Sequence, residues 1–248
     1  DKPIRDKLKT RKDFERVLAE DLDIMETTKA RMDTAKNINL YMYRSLSYSY
    51  ILILQSKYSV DAKIDELRDI YIKSMYYFLQ AFNKRNPIYA DILNYVSLGV
   101  LLNIPDNNFR QLIDYVKQMD KQAKPSGWTP DLLLWFMLNS RLKEQEKLKY
   151  AETLAYPRLY NGLYKVIQAP NAAAAKDALN KYLDRWYNLN SDAPWYNSHL
   201  KDNCYRGYWA WEVAAVAKIM HIDDSDLRDN PYYPYDMVHW KDAGVTIE

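Results

Sequence analysis

Only five glycines occur among the 248 residues of this chain, roughly a third of the ordinary share. Tight β-hairpin turns depend on residues that accept positive φ, glycine above all. A chain with so few is expected to turn through helix–helix connections instead. Periodicity agrees. From Leu8 to Ala35 the residues Phe14, Val17, Leu18, Leu22, Met25 and Met32 recur every three or four positions in a charged background, the pattern of an amphipathic helix. LYMYRSLSYSYILILQSKYS follows with Leu46, Tyr50, Leu54 and Tyr58 at helical spacing and few charges, which predicts a central helix. Ser59 or Asp61 is placed to cap the next one, whose stripe is Ile64, Leu67, Tyr71, Met75 and Phe78.

Three further helices are predicted in IYADILNYVSLGVLL, DNNFRQLIDYVKQM and TPDLLLWFML, the last with Thr129 as cap and Pro130 at its first position. EKLKYAETLAYPRLYNGLYKVIQ is helical with interruptions expected at Pro157 and Gly162, and NAAAAKDALNKYLDRWYNL has an Asn cap and an alanine run. No segment alternates apolar and polar residues as a half-buried strand does. The expected fold is all-α: about ten helices stacked as antiparallel hairpins, with no significant sheet. KPSG at 124–127 divides residues 1–124 from 128–248, two regions expected to form one continuous helical body.

Several chemistries lack their residues. The three histidines, His199, His221 and His239, are far apart and outside any HExxH pattern, and Cys204 is the single cysteine, so neither a metal site nor a disulfide is expected. Cys204 is expected as a buried free thiol, consistent with a reducing cytoplasm. Phosphate-binding glycine motifs and the GxSxG elbow are absent, and no cofactor is expected. Net charge is +2, from 35 basic and 33 acidic residues, which gives no electrostatic warrant for nucleic acid or an anionic membrane. The longest aliphatic run, Ile51 to Leu54, is far too short to span a bilayer. The chain opens without a signal-peptide pattern and reads as soluble.

Two features remain. YRGYWAWEVAAVAKIM, read as a helix from Tyr205 onward, carries Trp209, Val213, Val216 and Met220 on one stripe and Tyr208, Trp211, Ala215 and Ile219 on the next. Glu212 between them is either a general acid in an aromatic pocket or a core glutamate hydrogen-bonded to its neighbours. Core spacing of the rings favours the second. Beyond it, Asp223, Asp224, Asp226 and Asp229 cluster beside Tyr232, Tyr233 and Tyr235, and Glu20, Asp21, Asp23 and Glu26 form a second acidic group on the first helix. Each is either a solvated face or a recognition surface for a basic partner, with acid for steering and tyrosine for anchoring.

The C-terminal stretch resembles the PoNi family, immunity proteins to PoNe-type DNase toxins of contact-dependent bacterial secretion systems. The residues that carry the likeness are Gly207, Tyr208, Trp209, Trp211 and Glu212, the following AAVAKI, Ile222-Asp223-Asp224-Ser225, Leu227, and Asn230-Pro231-Tyr232-Tyr233-Pro234-Tyr235-Asp236. FERVLAEDLDIMET and YMYRSLSYSYILILQSKYS resemble that family's N-terminal region. The resemblance implies an all-helical, non-enzymatic inhibitor that binds a cognate nuclease in the cytoplasm and protects the producing cell and its siblings. It assigns no contact residues, so the acidic candidates rest on electrostatics. The PYYPYD box is either part of that surface or a clasp holding the tail to the Trp209 helix. The other function class is an enzyme or small-ligand protein around Glu212, which requires an open pocket there. A nuclease of the PD-(D/E)xK type would need strands that the sequence lacks.

Overall fold

The computed structural model describes residues 2–82, 88–121, 127–147, 149 and 151–241. Among these there are ten α-helices and no strand: α1 Arg11–Thr34, α2 Leu40–Val60, α3 Ile64–Phe82, α4 Tyr89–Leu101, α5 Asp106–Lys121, α6 Leu132–Asn139, α7 Pro157–Ile167, α8 Ala172–Leu189, α9 Trp211–Met220 and α10 Tyr235–His239. Short 3-10 turns lie at Glu144–Glu146, Ser198–Leu200 and Ser225–Leu227. Lys124, Pro125 and Ser126 of the expected divider lie outside the described residues. Backbone contacts group the chain into two compact units, Asp1–Arg85 with Pro194–Tyr208, and Asn86–Ala193 with Trp209–Glu248.

In the first unit α1 opens with a capping box, Thr10 and Asp13 each accepting from the other's backbone N–H, which satisfies two otherwise orphaned donors. Its inner face sets Phe14, Val17 and Met25 into the core, and Met25 joins Leu46, Tyr50 and Ile53 of α2. Helix α2 lies between α1 and α3. It carries the buried serines Ser47, Ser49, Ser56 and Ser59, small side chains that allow close helix approach. The Ser74 hydroxyl of α3 donates to the Ser47 carbonyl at 2.7 Å. Ser59 lies inside α2 and Asp61 is its C-cap residue, so neither begins α3. Asp61 instead pairs with Arg11 at 3.0 Å.

The second unit is built on α4, buried from Tyr89 to Leu101 nearly all round, and on α9, whose residues Trp211 to Ala217 are all buried. The alanines of α9 leave room for α4 to pack against it, and α6, α7, α8 and α10 also contact α9. At the end of α4 the Leu101 carbonyl accepts from Lys218 Nζ at 3.0 Å and from Trp240 Nε1 at 2.9 Å. These donors satisfy one of the carbonyls that a helix C-terminus leaves without an internal partner.

Four local expectations are corrected. Helix α9 begins at Trp211, not Tyr205: Gly207 has φ +105°, a conformation outside the helix that L-residues avoid, so Tyr208 and Trp209 precede the helix. Helix α6 is capped by Asp131, whose carboxylate accepts from Leu134 N–H at 2.9 Å, and Thr129 and Pro130 stand outside it. Helix α7 begins only at Pro157, a proline at the first helical position, so residues 151–156, expected as helix, precede it without helical structure, and Gly162 does not interrupt it. A Cβ there would lie 2.7 Å from the Tyr182 ring, so glycine serves helix–helix approach between α7 and α8. Cys204 is exposed, because it sits in the loop just before the chain turns inward at Tyr205.

Candidate partner-binding surface

The aromatic richness of the sequence has a structural use. Tyr O–H and Trp N–H groups need acceptors once buried, and a set of internal carboxylates supplies them. Asp6 accepts from the Tyr205 hydroxyl and from Leu8 and Lys9 N–H. Asp120 accepts from Trp128 Nε1 at 2.8 Å and Trp135 Nε1 at 2.6 Å. Asp131 accepts from the Tyr89 hydroxyl at 2.8 Å and from Ala155 N–H at 2.8 Å, besides capping α6. Burial pushes the Asp120 and Asp131 carboxyls above the usual range, against the opposing pull of these donors.

Three of the predicted acidic or aromatic contact residues belong to this internal set, and their expected surface position is corrected. Asp21 is buried and holds Arg206 by a two-pronged bridge, both distances 2.7 Å. It occupies the inward stripe of α1 between Val17 and Met25, a phase that the sequence itself carries. Asp224 is buried, accepting from the Tyr233 hydroxyl at 2.6 Å with His239 Nε2 at 2.7 Å. Tyr233 is buried with it. A carboxylate that binds internal donors is not available to a partner.

The remaining predicted residues are distributed as follows. Glu20 and Asp23 are exposed on α1, as is Glu26, paired with Lys29 at 3.5 Å. Asp223, Asp226 and Asp229 are exposed in the second unit. Lys176 reaches Asp223 at 2.8 Å and Asp226 at 3.6 Å, and with Ser225 it holds the Asp223 carboxyl well below the usual carboxylate range. Tyr232 is half-buried, its ring stacked on Tyr187 at 5.4 Å, and its carbonyl accepts from Ala210 N–H at 2.8 Å. The PYYPYD box is thereby tied to the residue that precedes α9. Within it Pro231 and Asp236 are exposed and Pro234 is buried just before α10.

Of the other motif residues, Gly207 makes the positive-φ turn. The Tyr208 hydroxyl accepts from His199 N–H at 3.0 Å, with the His199 ring nitrogen at 2.8 Å. Trp209 and Trp211 pack with ring centroids 6.3 Å apart. Glu212 is 6% exposed and accepts from Trp186 Nε1 at 2.6 Å. The reading of Glu212 as a catalytic or ligand-binding acid needs a solvent-open carboxylate, and this one is enclosed.

Burial raises the Glu212 carboxyl above its ordinary value. The folded state thus holds this proton to higher pH than the unfolded state does, and the linked stabilisation is present below the ordinary glutamate value and lost as pH rises towards the folded one. Gln at this position keeps an acceptor for Trp186 without a titrating group. Glu212→Gln is therefore expected to melt close to wild type at neutral pH, while wild type gains on the variant as pH falls from neutral towards the ordinary glutamate value. Thermal melts across that range read the difference, and an unchanged gap would refute it.

The described residues form an all-helical protein with buried carboxylates hydrogen-bonded to tyrosine and tryptophan, and with exposed acids on α1 and at Asp223, Asp226 and Asp229. Comparison with known families gives it a place. A family model for the N-terminal part of PoNe immunity proteins (PoNi) matches residues 5–114, and one for their C-terminal part matches residues 129–237. The chain belongs to the PoNe immunity protein family. Among solved structures it is similar to protein PA2201 from Pseudomonas aeruginosa, with a TM-score of 0.68 and 19% identity over 97% of this chain and 91% of that one; the likeness shows a shared fold. No curated protein is similar to the chain in sequence. Among the described residues no helix is long and apolar enough to cross a membrane.

Proposed function

We propose that this chain binds a PoNe-type DNase toxin and neutralises it, doing no chemistry of its own, in the cytoplasm of the bacterium that makes the toxin and of its siblings. The observation that carries the reading is the match of both parts of the family, in order, across residues 5–114 and 129–237. Two physical features support it. An interior fixed by buried hydrogen-bonded carboxylates presents a preformed surface, so binding loses little conformational entropy. Exposed acids on α1 and around Asp223 to Asp229 suit a partner whose own surface is basic because it grips DNA phosphates.

The test is co-expression with the nuclease domains encoded by adjoining genes, followed by affinity purification and a plasmid-cleavage assay. A stable complex in which cleavage is abolished is the expected result. Failure to bind any of those domains would overturn the reading.

A further inference from the structure

In the first unit, charges of both signs line one space between α1 and α2. Asp23 and Arg31 of α1 both border a groove of about 330 Å³, together with Ile24 and, from α2, Tyr41. Thr27, Thr28 and Ser45 add hydroxyls to its wall, so the lining is mixed, as it is in contacts between separately stable proteins. Asp23 and Arg31 stand about 12 Å apart along the helix axis, too far to bridge each other. Among the described residues neither makes an ion pair. Ile24 is 51% exposed and Tyr41 78% exposed, two large apolar side chains standing in water beside an open concavity.

The order of these groups along the groove gives it two unlike ends. Asp23 and Ile24 are neighbours on α1. Arg31 lies two turns further on, near the end of that helix at Thr34, and α2 begins at Leu40 after a short connection. So short a connection makes α2 run back along α1, which puts Tyr41, in its first turn, at the Arg31 end. Acid and aliphatic therefore hold one end, base and aromatic the other, and the exposed Thr27 lies midway. A two-fold axis through Thr27 exchanges the ends. It sets Asp23 against Arg31 of a second copy and Tyr41 against Ile24 of that copy, and symmetry repeats both contacts.

We propose that this flank is a two-fold contact between copies of the chain, with the Tyr41 ring of each in the groove of the other and an Asp23–Arg31 bridge at either end. Charge selects this occupant. A partner segment of one sign meets repulsion at one end of the groove, whereas an antiparallel second copy meets attraction at both. Size agrees with it. Helix α1 has 24 residues and is about 36 Å long, and two helices of about 10 Å diameter side by side give a flank about 20 Å across. That approaches the roughly 800 Å² per partner of a standard interface. The bridges lie within reach of water and fix orientation more than strength, while the enclosed ring carries most of the affinity.

Sedimentation of the purified full chain from about 1 to about 200 μM is the test, a range that brackets a contact of micromolar strength. Wild type is expected to show a monomer–dimer equilibrium, and Tyr41→Ala to weaken it by about tenfold or more. Asp23→Arg alone, or Arg31→Asp alone, sets like charges against each other at both ends and is expected to weaken it by a similar factor. Two rescues follow from the symmetry. Asp23→Arg combined with Arg31→Asp should return to within about threefold of wild type, and an equal mixture of the two single reversals should form a heterodimer. All three side chains are exposed, and matching melting curves verify that each variant folds. A wild type that stays monomeric across the range overturns the proposal. So does a dimer that Tyr41→Ala and both single reversals leave at full strength, since it forms elsewhere. Failure of both rescues overturns the two-fold pairing. Nuclease binding enters none of these outcomes, so the immunity reading stands or falls separately.

Discussion

Arg206→Ala is expected to lower stability by about 3–5 kcal/mol, because it leaves the Asp21 carboxylate buried without its counter-charge. That is a large share of the 5–15 kcal/mol or so that usually separates folded from unfolded protein. Asp21 is almost fully enclosed, and both of its oxygens are used by Arg206 at 2.7 Å. Arg206→Lys should recover little, since an ammonium cannot reproduce the two parallel N–H bonds of the guanidinium. Asp21→Leu combined with Arg206→Met should recover most of the loss, because two apolar groups leave no unpaired charge. Urea denaturation of the four proteins is the measurement. A cost below about 1 kcal/mol for Arg206→Ala would mean that water reaches Asp21 freely.

The second large effect is expected at Asp131. One oxygen takes Leu134 N–H and the Tyr89 hydroxyl, and the other takes Ala155 N–H. Asp131→Ala removes a helix cap, worth about 1 kcal/mol, and strands the buried Tyr89 hydroxyl and the Ala155 donor at about 1–3 kcal/mol each. A combined loss of about 3–7 kcal/mol follows. Asp131→Asn tests the geometry behind that figure. Its single carbonyl oxygen can serve Leu134 and Tyr89, but its NH₂ group then faces the Ala155 N–H, donor against donor. Asn is thus expected to lie between wild type and Ala in urea midpoint. An Asn variant as stable as wild type would show that the Ala155 bond contributes nothing.

The helices were legible because their signals are local. Scarce glycine, apolar recurrence at three and four residues, and the Asn cap at 171 all act within a few turns, and α8 begins at that cap. The interior carboxylates were not legible, since their partners are distant in sequence: Asp21 and Arg206 are separated by 185 positions and Asp6 and Tyr205 by 199. Where two local signals competed, packing decided. In TPD both Thr129 and Asp131 are capping residues, and Asp131 is the one whose carboxylate also reaches Tyr89 and Ala155. Glycine misled in two ways. Gly162 reads as a helix breaker but is a contact point for Tyr182, whereas Gly207 reads as part of a helix but makes the turn that delays it. On the candidate surface, the acids of α1 were visible as a cluster. Which of them face outward depended on helical phase.

The first unit is discontinuous: its three long helices come from the first 85 residues, and the segment that supplies Tyr205 and Arg206 comes from residues 194–208. On a ribosome adding about 5–20 residues per second, α1 to α3 emerge many seconds before the side chains that neutralise Asp21 and complete Asp6. During that interval Asp21 on α1 lacks its counter-charge, and Asp6 has its local Leu8 and Lys9 donors but lacks the Tyr205 hydroxyl. The unit can reach its native state only after most of the chain has been translated, which ties readiness for binding to near-complete synthesis.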